Sequence, residues 1–185
     1  LRLLMGEYPY GGRVSASVGF EYFPYAVPDK TLLTLHALQE VDPALEEWRL
    51  CRELHGLEAD EELLYRPFVT LSNGEQTKAL LAALFLRENR FLLIDEPTNH
   101  LDRGAREAIG RYLSSKKGFI LVSHDRKLLD CCADHILSIN RNSIEIQKGN
   151  FSSWYENRQR RAQFEQTRNI QLKREIQSLQ KAAQR

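Results

Sequence analysis

Apolar residues in this chain switch between two spacings. From residue 29 to 64, Leu32, Leu33, Leu35, Leu38, Leu45, Trp48, Leu50, Leu54 and Leu57 recur at helical intervals, broken by Asp42-Pro43 and by Gly56. This predicts a block of short helices, a helical subdomain of about 29–70. A further helix is predicted after Ser72, carrying Leu80, Leu81, Leu84 and Phe85. Phe91-Leu92-Leu93-Ile94 is a continuous apolar run, the signature of a strand buried on both faces, and Phe119-Ile120-Leu121-Val122 repeats it. Helices are predicted from Arg103 to Leu113 and from Arg126 to Cys132. Near the start, Leu1–Met5 reads as the end of a helix already under way. A turn-rich stretch, Gly6 to Gly12, then leads into a strand from Val14 to Phe23 that stops at Pro24. His135–Ile139 and Ser143–Ile146 flank Asn140-Arg141-Asn142, which suggests a hairpin. Buried strands alternating with helices predict an α/β fold with a mostly parallel sheet and flanking helices.

After Gly149 the pattern changes again. Residues 151–185 contain no Gly or Pro, and Phe151, Tyr155, Ala162, Leu172, Ile176, Leu179 and Ala183 fall on a three–four alternation. This predicts one long C-terminal helix with a single apolar seam, interrupted at Arg158, Glu165 and Asn169. The seam fits a coiled coil or a plain surface helix.

Charge sharpens that boundary. The whole chain has a formal net charge of +1, which makes no case for nucleic acid. Residues 1–150 carry a net −4 and residues 151–185 a net +5, a basic tail on a mildly acidic domain. Cys51, Cys131 and Cys132 have no zinc-like spacing and read as reduced cytosolic thiols packed as small apolar groups. No apolar run reaches the roughly 20 residues needed to cross a bilayer, and no signal peptide is present, so a cytoplasmic protein without membrane contact is expected.

Four segments carry candidate chemistry. In Leu71-Ser72-Asn73-Gly74-Glu75-Gln76, Ser72 and Glu75 have the spacing of a capping box. The same helix N-terminus, with Gly74 beside it, also presents free N–H groups to an anion. The strand Phe91–Ile94 ends in Asp95-Glu96, placing two carboxylates at the sheet edge, where α/β proteins bind ligands. One carboxylate there can hold Mg²⁺ through water and the next can deprotonate an attacking water. Thr98-Asn99-His100-Leu101-Asp102 follows, and Asp102 is also placed to cap the next helix. The strand Ile120–Val122 ends in Ser123-His124-Asp125, where His124 could contact a γ-phosphate or make only a local hydrogen bond.

Asp95 lies 23 residues after Ser72, and His124 lies 29 after Asp95. In this order the segments resemble the signature, Walker B, D-loop and switch histidine of the ATP-binding-cassette (ABC) superfamily. Glu96-Pro97-Thr98-Asn99-His100-Leu101-Asp102 is similar to the ABC-F branch, which has no transmembrane domains. The helix after Phe151 is similar to the arm joining the two cassettes of such proteins. Glu21-Tyr22-Phe23-Pro24-Tyr25 and Ser72 to Lys78 look most like the Lsa-type ribosome-protection subgroup, linked to antibiotic resistance.

The resemblance implies ATP and Mg²⁺ as ligands. Asp95 would hold Mg²⁺ through water, Glu96 would be the catalytic carboxylate and His124 would contact the γ-phosphate. Ser72, Asn73, Gly74, Glu75 and Gln76 would face the nucleotide of an opposing cassette, and Asn99 and Asp102 would join the two sites. Tyr25 stands where the family has the Q-loop glutamine, and a neutral phenol is a poor Mg²⁺ ligand. Asn73 stands where many cassettes have Gly, and Asn tolerates the left-handed region best among other residues.

Nothing in the sequence matches Gly-x-x-x-x-Gly-Lys-Ser/Thr, and Leu1–Gly6 resembles the segment just after that loop. The expectation is therefore a partial cassette over 1–150, lacking Walker A, followed by the start of an interdomain arm over 151–185. The partners implied are a second cassette of the same full-length chain and the ribosome, with rRNA and tRNA reached through the arm. The fragment alone is not expected to bind ATP productively. An ABC transporter's ATPase subunit and a non-catalytic interaction module are the competing readings.

Overall fold

The computed structural model describes residues 1–140 and 143–183, and its contacts divide the chain into two compact units, Leu1–Cys132 and Ala133–Arg185. In the first, β1 (Gly19–Phe23), β2 (Arg90–Asp95) and β3 (Phe119–Val122) form a parallel sheet in that order. Between β1 and β2 lie α1 (Thr34–Val41), α2 (Glu47–Gly56), two short 3₁₀ turns (Glu61–Tyr65 and Phe68–Thr70) and α3 (Asn73–Phe85). Helix α4 (Arg103–Ser114) connects β2 to β3, and α5 (Arg126–Cys132) follows β3. The expected α/β architecture, with a parallel sheet, flanking helices and a helical block, is what the chain adopts.

Strand β2 is central, paired with β1 through Phe20↔Phe91 and Tyr22↔Leu93 and with β3 through Leu93↔Ile120 and Asp95↔Val122. Leu92, Leu93 and Ile94 are accordingly buried. Strand β3 was expected to match it but does not. Among the described residues it pairs only with β2, its residues 119–121 are half-buried, and Val122 is 42% exposed. The first strand is shorter than the expected Val14–Phe23. Its register partner at Gly19 is Arg90, the first residue of β2, so residues before Gly19 have no neighbouring strand to pair with. Arg2–Gly6 is a turn held by Leu4 N–H donating to Leu1 O at 2.8 Å.

The main core lies on one side of the sheet, although Leu93 on the other face is also fully buried. Side chains alternate across a strand, and Phe23, Leu92 and Ile94 share a cluster with Leu80, Leu81 and Leu84 of α3, Ile109 and Leu113 of α4 and the leucines of the helical block. Phe85 joins the layers, its ring edge-on to Tyr112 and to Phe119 at 5.3 and 6.1 Å. The opposite sheet face carries Phe20 and Phe91, edge to face at 6.2 Å, together with Tyr22 and the exposed Val122.

In the second unit, β4 (His135–Ile139) and β5 (Ile144–Lys148) form an antiparallel hairpin, and α6 (Phe151–Ala183) is a 33-residue helix. Arg141 and Asn142 of the expected hairpin turn lie outside the described residues. Asn150 caps α6, accepting from Ser153 N–H at 3.1 Å. Of the seam, Tyr155, Leu172 and Ile176 are exposed, while the Leu179 and Ala183 side chains lie outside the described residues.

Candidate functional site

Strand β2 ends by delivering Asp95 and Glu96 to the edge of the sheet. Glu96 N–H donates to Val122 O at 2.8 Å, one rung beyond the ladder, and the chain then turns sharply. The turn places Glu96 at φ +48° and His100 at φ +60°. A left-handed conformation in a residue other than Gly costs about 1–3 kcal/mol and collects at functional sites. Glu96 Oε2 accepts from His124 N–H at 3.2 Å and from Ser123 Oγ at 3.4 Å. Its Oε1 is buried with no hydrogen bond among the described residues, 3.4 Å from His124 Nε2 but without hydrogen-bond geometry. The His124 side chain is 98% exposed, so the imidazole stands at the mouth of the site over a nearly buried carboxylate. Ser123 Oγ also accepts from Asp125 N–H at 3.1 Å, and Asp125 caps α5 through Lys127 and Leu128 N–H. A groove of about 720 Å³ between α4 and α5 opens beside His124, walled by Arg106, Asp125 and Lys127 and floored by Leu128 and Cys131.

Asp95 has a different partner. Tyr22 O–H donates to Asp95 Oδ2 at 2.7 Å. Tyr25 points elsewhere: it is largely buried, its hydroxyl donates to Leu80 O of α3 at 3.2 Å, and the Arg87 guanidinium lies 4.9 Å from its ring centre. Burial pushes the Tyr25 phenol well above its ordinary range, so it is a neutral anchor between the β1 loop and α3.

The segment at Ser72 forms the complete capping box. Ser72 Oγ accepts from Glu75 N–H at 3.3 Å, and Glu75 Oε2 accepts from Ser72 N–H at 2.8 Å. Those bonds and the Arg66 ion pair at 3.0 Å hold the Glu75 carboxyl below its usual range, the backbone bond first. Gln76 Nε2 donates to Leu71 O at 2.9 Å, tying the helix start to the preceding turn. The N–H groups of Asn73 and Gly74 have no partner among the described residues. A Cβ on Gly74 would meet Ala105 Cβ at 3.6 Å, so this helix start adjoins the start of α4. Asp102 caps α4, accepting from Ala105 N–H at 2.8 Å, and Asn99 is exposed.

The structure thus brings Glu96 and His124 together, with Asp95 next in the chain but held by Tyr22. No hydrogen bond joins Ser72–Gln76, Asn99 or Asp102 to their side chains among the described residues. Tyr22 and Ser123 were missed in the sequence. Ser123 precedes the histidine and could have been suspected, whereas Tyr22 becomes visible only with the strand register. No cluster of three or more His, Cys, Asp or Glu capable of enclosing a metal exists among the described residues. The donor set still suits Mg²⁺, which takes one or two carboxylates and completes its shell with water and substrate phosphates: Asp95 has one oxygen unengaged and Glu96 an orphaned one.

A protein-family profile described as "AAA domain, putative AbiEii toxin, Type IV TA system" matches residues 26–130, more than half of the chain. The Bacillus subtilis "Uncharacterized ABC transporter ATP-binding protein YkpA" is 36% identical over 128 residues, covering 69% of this chain and 24% of the relative. The Haemophilus influenzae "Energy-dependent translational throttle protein EttA" is 39% identical over 97 residues, covering 52% and 17%. The chain belongs to the ABC ATPase family. Its fold is that of the archaeal ribosome recycling factor aABCE1, solved in complex with the ribosomal stalk protein aP1, with a TM-score of 0.60 and 24% identity over 78% of this chain and 30% of that one. The chain spans about a quarter or less of the length of these two curated relatives. ABC ATPases as a family hydrolyse ATP with Mg²⁺. Among the described residues, no helix is long and apolar enough to cross a membrane.

Proposed function

We propose that this chain is part of an ABC-F ATPase that works on the ribosome in the cytoplasm, of the Lsa-like kind that protects ribosomes from antibiotics. In this reading residues 1–150 are part of the first cassette, without a Walker A loop, and residues 151–185 begin the arm. The observation that carries it is Glu96, a strained carboxylate with a buried orphan oxygen directly beneath His124. The D-loop pair Asn99-His100 and the basic α6 support the branch, as does the likeness to EttA, whose name places it in translation.

The family resemblance assigns the roles, and the geometry supports them. Glu96 is placed to take a proton from an attacking water, because Oε1 lacks a donor while Ser123 and the His124 N–H hold Oε2. His124 is exposed and free to donate to a γ-phosphate. Asp95, whose other carboxylate oxygen has no hydrogen bond among the described residues, is the residue that would hold Mg²⁺ through water. Mg²⁺, when bound with ATP, neutralises phosphate charge. The free N–H groups of Asn73 and Gly74, with Ser72 Oγ, suit a phosphate on an opposing cassette, held in shape by Glu75 and Gln76. By the resemblance, Asn99 and Asp102 would join the two sites. Tyr25 contributes an anchor to α3 and no metal ligand.

The experiment is Glu96→Gln in the complete gene product. Removing the base while keeping the shape is expected to lower steady-state ATP hydrolysis by about 10²–10⁴ and to leave ATP binding intact. Hydrolysis at the wild-type rate would remove Glu96 from the mechanism.

A further inference from the structure

Asp95 needs an orienting partner, and the Q-loop position does not supply it. The Tyr25 hydroxyl is spent on Leu80 O, and its half-buried ring lies under the Arg87 guanidinium. The backbone of Asp95 is fixed by its pairing with Val122, but that leaves the carboxylate free to rotate. Among the described residues, the one side chain that hydrogen-bonds it is Tyr22.

The register makes this contact a consequence of the strands. Tyr22 stands opposite Leu93 in the β1–β2 ladder, so the two side chains share a face. Asp95 is two residues further along β2 and returns to that same face. Two residues of strand advance about 6.6 Å, which matches the reach of a phenol leaning along the strand. The hydroxyl meets Oδ2 at 2.7 Å. A carboxylate offers about four acceptor positions, so one bond leaves Oδ1 unengaged. A neutral phenol in this place donates to the carboxylate and does not compete for the metal.

The geometry points to Tyr22 as the positioning residue of the metal site: its O–H clamps Asp95 Oδ2 and thereby leaves Oδ1 oriented to hold Mg²⁺ through water when the metal binds. The assignment rests on reading Asp95 as the carboxylate of the Mg²⁺ site. It gives β1, and not the loop after it, the task of ordering that carboxylate. It also makes Tyr22 a partner acting through Asp95, comparable to the outer residues that hold metal ligands in other sites.

The test uses the complete gene product with Tyr22→Phe, which keeps the ring and removes only the hydroxyl that donates to Asp95. Mn²⁺ binding in the presence of ATP is followed by electron paramagnetic resonance, alongside metal-free ATP binding. Mn²⁺ affinity is expected to fall about tenfold, with metal-free ATP affinity unchanged. A double-mutant cycle with Asp95→Ala, read by urea unfolding without metal, is expected to be non-additive, because each change deletes the same bond. Non-additivity with unchanged Mn²⁺ affinity would make the contact merely structural and overturn the assignment. Additivity, whatever the Mn²⁺ result, would show that Tyr22 does not act through Asp95 and would also overturn it. Failure of the wild-type protein itself to bind Mn²⁺ with ATP would instead bring down the metal-site reading of Asp95, and this assignment with it.

Discussion

Glu96 breaks two local rules at once. It precedes Pro97, which ordinarily pushes a residue toward extended backbone, and yet it sits at φ +48°. Its Oε1 is buried without a hydrogen bond, a loss of about 1–3 kcal/mol for a polar group. Both costs are confined to one residue, so they can be relieved there. Glu96→Gly removes the backbone strain and the orphan oxygen together, offset by about 0.5–1 kcal/mol of added freedom in the unfolded chain. The variant is expected to be more stable than the wild type by about 1 kcal/mol in urea unfolding, while losing hydrolysis. Destabilisation would mean that the site is not strained. The Asp-Glu pair at the end of an apolar run was legible in the sequence as a candidate site. The strain and the Tyr22 contact were not, because a turn's φ and a parallel register depend on partners far away in the chain.

At the scale of elements, α2 is locked to α4 by a buried polar group. Glu53 is 8% exposed, accepts from Tyr112 O–H at 2.7 Å and pairs with Lys116, whose ammonium lies 4.7 Å from the Tyr112 ring centre. Burial alone would raise the Glu53 carboxyl, but the bonds from Lys116 and Tyr112 outweigh it and leave it below its usual range. A depressed carboxylate contributes stability that is present above the unfolded value of about 4.3 and lost as pH falls through the lower folded value. Glu53→Gln is therefore expected to cost about 1–3 kcal/mol at pH 7 and to flatten the fall of Tm with acidification below about pH 4.3. An acid limb as steep as that of the wild type would place the acid sensitivity elsewhere. Glu53 sits between Leu50 and Leu54 and reads in sequence as a surface charge. Its partner Tyr112 is 59 residues away, so no local pattern reveals the lock. Where boundaries are set locally, the sequence sufficed: the Ser72 capping box begins α3, Asp102 begins α4, and the apolar run Phe91–Ile94 is the central strand. Where pairing decides, it misled. Val14–Val18 found no partner strand among the described residues, and Phe119–Val122 is an edge.

For the whole molecule, the absence of Gly and Pro after Gly149 predicted a long helix, and α6 begins at Phe151, while the compact units divide earlier, between Cys132 and Ala133. The long helix α6 bears exposed cations, of which Arg160 and Arg161 pair loosely with Glu156 and Glu145 at 3.8 and 3.4 Å. Arg158 lies over the Trp154 ring at 5.2 Å, a contact that leaves its charge available to an anion. This helix is the surface through which ribosome contact is proposed, and the Glu96–His124 site is what would make that contact depend on ATP. Both halves of the account meet in one measurement: co-sedimentation of the complete gene product carrying Glu96→Gln with purified ribosomes, with and without ATP, at several salt concentrations. The account predicts ATP-dependent retention on ribosomes that outlasts that of the wild-type protein and weakens steeply with salt, as phosphate contacts do. No ribosome association, or equal association with and without ATP, would contradict it.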